Sequence, residues 1–114
     1  MSEEFEIFRM NHLARTAEMW KVFLKNDVTE ASLLDIDFLF VTKSKDAVEK
    51  IISVLSDYKF KVSSKGFFRN EYLLESSSGA IAWDEEQLLK WVDYLIQVGN
   101  ETGCKFDGCG ASIG

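Results

Sequence analysis

From Leu34 to Val41 the sequence alternates. Ile36, Phe38 and Phe40 fall on one side, and Asp35, Asp37, Leu39 and Val41 fall on the other. A strand with so apolar a face must be covered, and the flanking sequence supplies covers with helical period. Between about residues 10 and 25, Leu13, Ala17, Trp20 and Leu24 recur every three or four positions, with Arg15, Glu18, Lys21 and Lys25 on other faces. After Thr42 or Ser44, either able to cap a helix, comes the stripe Ala47, Val48, Ile51, Ile52 and Leu55. A third helix follows Asp84, whose side chain can cap it, with Gln87 three residues on and Glu85 and Glu86 suiting the helix dipole. Its apolar set, Leu88, Leu89, Trp91, Val92, Leu95, Ile96 and Val98, is wide enough to pack on more than one side. Its polar line is Glu86, Lys90, Asp93 and Gln97, and Gly99-Asn100 or Gly103 can end it.

Strand signals occupy the gaps. One candidate runs from Phe60-Lys61-Val62 towards Phe68. Another runs from Glu71 to Trp83, and Glu75-Ser76-Ser77-Ser78-Gly79 within it reads as a turn between two strands or a mobile loop tip. A short strand Cys104-Lys105-Phe106 is closed by Asp107-Gly108. After the first helix the order is strand, helix, strand, strand, helix, strand. This is the split β-α-β pattern of an α+β, ferredoxin-like sandwich with an antiparallel sheet. The extra N-terminal helix, within an extension over residues 1–30, is expected on the opposite sheet face, over Leu39 and Val41. The length of 114 residues suits one domain over 1–114, and 46% hydrophobic residues suffice for a core without metal or disulfide.

Charge narrows the function. Thirteen Lys and Arg against 19 Asp and Glu give a net charge of −6, which repels nucleic acid and suits a basic protein partner. The first residues are acidic where a signal peptide is basic, and no apolar run is long enough to span a membrane. With only Cys104 and Cys109, a reduced, cytoplasmic protein is expected.

No cofactor or metal is expected. His12 is the only histidine, has no Cys or His beside it, and reads as an exposed helix residue. Cys104 and Cys109 lack the spacing of a redox pair and read as a core cysteine and a glycine-turn cysteine. Gly108 and Gly110 follow the last strand with four residues left, too few for a phosphate-binding helix. Phe67, Phe68, Tyr72, Trp83, Trp91 and Tyr94 read as core, or as interface anchors where exposed. Asp35 and Asp37 share a strand face, where they can shift each other's pKa or hold a cation, or else simply keep that face wet. The expected protein-binding residues are carboxylates: Asp35, Asp37, Glu71, Glu75, Asp84, Glu86, Asp93 and Asp107.

One family resemblance adds to this. Trp83-Asp84-Glu85-Glu86-Gln87-Leu88-Leu89-Lys90-Trp91, followed by Phe106-Asp107-Gly108-Cys109-Gly110, resembles the regulator of ribonuclease activity B family. Members end with a helix, a strand and an aromatic-Asp-Gly-Trp-Gly turn; Cys109 stands here where tryptophan is usual. Ile36-Asp37-Phe38-Leu39-Phe40 and Lys59-Phe60-Lys61-Val62 look like the family's first two strands, so the resemblance spans roughly residues 33–111. It implies a ferredoxin-like fold and a non-catalytic protein that binds and inhibits a nuclease, as the namesake inhibits ribonuclease E. The family's long acidic tail has no counterpart here, which leaves an immunity protein against a cognate toxin as an alternative. Further alternatives are a scaffold that pairs with a second copy through a sheet face or edge, and a small enzyme using Asp35 and Asp37, or Asp107, with a cysteine.

Overall fold

The computed structural model describes residues 2–29, 32–65 and 71–111. Among them the chain forms helix α1 (Glu3–Lys25), strand β1 (Leu33–Thr42), helix α2 (Lys45–Val54), strands β2 (Lys61–Lys65) and β3 (Glu71–Ala82), helix α3 (Glu85–Thr102) and strand β4 (Lys105–Gly110). The result is an α+β structure with three helices and a four-stranded sheet in the order β2-β3-β1-β4, antiparallel throughout. No helix among the described residues is long and apolar enough to cross a membrane.

The alternation in β1 makes this layering. Ile36, Phe38 and Phe40 are buried beneath the helices, while Asp35 and Asp37 are exposed on the opposite face. Phe38 stands at the centre of the core. The rings of Phe40, Tyr58, Phe60 and Trp91 all meet it edge-on at 5.2–6.0 Å between centroids. Each such contact adds about 0.5–1.5 kcal/mol to plain burial. Trp91 donates to the Tyr58 hydroxyl (2.9 Å) and Trp83 to the Leu34 carbonyl (3.1 Å), so both indole N–H groups are paired.

Helix ends follow local chemistry. The Asp84 carboxylate accepts the Gln87 N–H at 2.7 Å, and the Ser44 hydroxyl accepts that of Ala47 at 3.2 Å. Gly103, in the left-handed region at φ 88°, ends α3. Thr42 links the two crossings: its hydroxyl accepts from Ser44 N–H and donates to the Gly103 carbonyl. Gly99 packs tightly against the turn that follows α3 and against the Phe40 ring. A Cβ there would clash with the Cys104 carbonyl and lie 2.9 Å from the Phe40 ring.

Several expectations need correction. Helix α1 begins at Glu3, with Ser2 as its cap, rather than near residue 10. Its buried line is His12, Thr16, Trp20 and Phe23, while Leu24 is exposed. The helix carries apolar residues on most sides, so periodicity could not choose the packed face. Nor does α1 cover the far side of the sheet. It lies in the same layer as α3, beside β4, which leaves Leu39 and Val41 on an open face. His12 is buried rather than exposed, its ring set between Phe8 and Phe106 at 4.6 and 5.2 Å. Arg9 then reaches α3 and grips both carboxylate oxygens of Asp93.

The serine-rich stretch is not a turn between strands. It continues β3 through a bulge where Gly79 takes φ 78°, the Ser78 hydroxyl accepts the Ile36 N–H, and Asp35 accepts the Gly79 N–H. Likewise β4 does not stop at Asp107. A second bulge there, with Gly108 at φ 130°, lets the strand run on to Gly110, and Cys109 is a strand residue. Phe67, Phe68 and the end proposed for their strand lie outside the described residues.

Two outcomes follow for stability. Gly99→Ala is expected to lower unfolding free energy in urea by about 1–3 kcal/mol, because a backbone carbonyl cannot move aside. The second concerns pH. Burial chiefly, then Arg15 and Lys105, push the His12 pKa below its usual 6.5, with Asp107 opposing. The unfolded chain therefore takes the proton first. This contribution is complete above pH 6.5 and is lost as pH falls from there through the folded-state value. Urea midpoints measured across pH 7 to 5 should fall, and His12→Phe should flatten that fall.

Candidate functional site

Among the described residues, one face of the sheet carries charged and half-buried apolar side chains that no helix covers. Register places its members in rows. Leu33 pairs with Ala82 and Asp35 with Ala80; Asp37 lies between Ser77 and Gly110; Leu39 lies between Glu75 and Gly108; and Val41 lies between Leu73 and Lys105. On the far side, β2 sets Lys61 against Glu75 and Ser63 against Leu73. Thus Asp35, Asp37, Glu71 and Glu75 share one face, and Asp107 stands at its rim on the β4 bulge.

An open depression of about 660 Å³ crosses this face. Asp37, Leu39, Glu75, Asp107, Gly108 and Gly110 line it, with Lys59 and Lys61 at the β2 end. Glycines make the β4 end bare, since no side chain rises from Gly108 or Gly110. Among the described residues, no ion pair of 4 Å or less engages Asp37, Glu75, Asp107 or Lys61. Asp35 already accepts a hydrogen bond from Gly79 and helps hold the bulge.

The remaining predicted carboxylates lie on α3, away from this face. Asp84 caps the helix, Glu86 pairs with Lys90 at 2.9 Å, and Asp93 is held by Arg9 and Gln97. The Arg9 hydrogen bond keeps the Asp93 carboxyl below the usual carboxylate range. Tyr94 is exposed and Trp83 is buried. Leu39, Val41, Lys59 and Lys61 were not expected at the site. Lys61 joins Glu75 only through the β2–β3 register, which no local pattern in the sequence signals.

Both thiols point into the protein. Cys104 is buried with its Sγ 3.4 Å from the Ala47 carbonyl, and burial raises its pKa. Cys109 lies opposite Phe38, and burial pushes its thiol up to about 11. Both stay protonated at neutral pH, in the form that is a poor nucleophile. Asp37, Asp107 and Cys109 do border one depression, but the thiol faces the core side of the strand. Among the described residues, no group of three His, Cys, Asp or Glu side chains is arranged to hold a metal ion.

No protein-family model matches the chain, and no curated protein matches it significantly.

Burial of the thiols has a direct readout. Iodoacetamide at pH 8 should modify both cysteines far more slowly in the native protein than in urea, as followed by mass spectrometry. Equal rates would show the thiols to be accessible.

Proposed function

We propose that this protein is a non-catalytic, acidic binding protein that inhibits a nuclease through the open face of its sheet. Carrying this reading is the gathering of Asp35, Asp37, Glu71, Glu75 and Asp107 around a half-buried apolar strip of Leu39, Val41 and Leu73 on the sheet face opposite the helices. An enzyme that cleaves RNA holds phosphates on a basic surface. Carboxylates spaced across a sheet compete for that surface, steer the approach at low salt, and reject other acidic proteins. The apolar strip supplies the desolvated centre that charge alone lacks. We read the fold as ferredoxin-like, supported by the strand order and by both crossing helices lying on one face. The resemblance to the regulator of ribonuclease activity B family supports the same function. A cytoplasmic location fits two unpaired thiols.

The test is direct. Tagged protein is used to capture partners from host extract at low and high salt, and the captured nuclease is assayed on a fluorescent RNA. Added protein should inhibit cleavage, less so at high salt, and Asp37→Lys/Asp107→Lys should weaken inhibition at least about tenfold with the melting temperature unchanged. Recovery of a cognate toxin rather than a housekeeping nuclease would make the chain an immunity protein acting through the same face. Undiminished RNA cleavage, or full inhibition by the double variant, overturns the reading.

A further inference from the structure

We propose that the cavity between α1 and β4 binds a small zwitterion of the aliphatic amino-acid class, held by His12 and Arg15 from the helix and by Asp107 from the strand. This site is separate from the open sheet face, and the proposal does not rest on the nuclease reading.

The cavity has a volume of about 260 Å³. It exists because β4 bulges beside the helix. Gly108, at φ 130°, brings no side chain into the gap, so helix and strand do not close on one another there.

His12 is the feature that points to a ligand. It is 8% exposed, with its ring between those of Phe8 and Phe106. Thr16 donates to its backbone carbonyl at 2.8 Å, but no hydrogen bond reaches its ring nitrogens among the described residues. A neutral imidazole carries one N–H donor and one acceptor, and burying either without a partner destabilises the fold. Among the described residues, no side-chain nitrogen or oxygen that is wholly sealed off lacks a partner. The His12 nitrogens therefore reach open space, and this cavity is the space that His12 lines.

Charge selects the class of ligand. Arg15 lies three residues after His12, so it stands next to it on the helix wall. Asp107 faces both from β4. Arg15 and Asp107 act on His12 with opposite sign, which sets both charges near its ring; Lys105, which also acts on it, lies over the Phe8 ring. Neither Arg15 nor Asp107 belongs to an ion pair of 4 Å or less among the described residues. A simple anion would be repelled by Asp107 and a simple cation by Arg15. A molecule with both charges satisfies both walls. Its carboxylate fits between the Arg15 guanidinium and the His12 N–H, and its ammonium fits against Asp107. Met19 and Phe106 line the remainder with apolar surface. The volume equals that of about nine waters at roughly 30 Å³ each, which is room for about nine non-hydrogen atoms. An amino acid with a three- or four-atom apolar side chain is of that size.

His12 is the only histidine, so its ring protons give one assigned reporter by NMR. The 114-residue chain is titrated at pH 7 with L-leucine, L-valine and L-methionine in turn. At least one should shift the His12 signals saturably, with a dissociation constant on the order of 1 mM. The best of them is then compared with its analogues lacking the amine or the carboxylate (isocaproate and isoamylamine for leucine), each of which should bind at least about tenfold more weakly. Arg15 and Asp107 are exposed, so Arg15→Ala and Asp107→Ala should keep the melting temperature and each weaken the amino acid by about tenfold. Arg15→Ala should leave binding of the amine analogue unchanged, and Asp107→Ala that of the carboxylate analogue. Absence of a saturable shift with all three amino acids overturns the proposal. So does an analogue that binds as tightly as its parent, or full affinity in either variant. The test contains no nuclease, so its failure is distinguishable from failure of the inhibitor reading.

Discussion

The structure is organised around one side chain. Phe38 sits at the middle of the central strand β1 and receives the edges of Phe40, Tyr58, Phe60 and Trp91. These rings come from β1 itself, from the segment between α2 and β2, and from α3. The same contact that buries Phe38 therefore fixes where those elements lie. Trp91 extends the cluster to Trp83 at 5.0 Å, and Phe40 extends it to Phe106 and then His12. Aromatic rings at fixed angles hold elements in register better than aliphatic packing does, because edge-on contact is directional. Truncation of a ring so placed costs on the order of 3–5 kcal/mol, a large part of a small domain's stability.

Helix α1 depends on this core without being central to it. It is joined to α3 by Arg9 and Asp93 and to β4 by the stack Phe8–His12–Phe106, which Lys105 closes from outside over the Phe8 ring at 5.1 Å. By joining the layer that α2 and α3 already form, it widens one side of the molecule and, among the described residues, leaves the other without a helix. The bare side is what makes a binding function physically reasonable. A sheet face with Leu39, Val41 and Leu73 among carboxylates and a lysine end is neither a core nor an ordinary solvated surface. The two bulges shape it further. One is held by Asp35 and Gly79, and the other lifts Asp107 to the rim and leaves Gly108 and Gly110 as an open floor.

Much of this was legible in the sequence, for local reasons. The period-two pattern of β1, the Asp84 cap and the stripe of α3 each depend on neighbours within a few residues, and each stands where the pattern placed it. That Asp35 and Asp37 share a face follows from strand geometry alone. Other features were hidden because two answers fitted equally well. Serines and a glycine serve a turn or a bulge, and only pairing with β1 decided for the bulge. The helix α1 is apolar on most sides, so its own pattern could not say whether His12 or Leu24 would be buried.

The sequence by itself determined the order of helices and strands, which face of β1 is apolar, and that the chain carries excess negative charge. Those properties are set by residue order and composition, without reference to distant parts of the chain. Only the tertiary structure decided that Lys61 lies level with Glu75, Leu39 and Gly108, that Asp84, Glu86 and Asp93 are drawn into helix caps and ion pairs, and that Leu39 and Val41 stay uncovered. The reason is that strand register and helix placement are long-range choices. They are settled by how rings such as Phe38, Trp91 and Phe106 pack together, and no stretch of the sequence records that on its own.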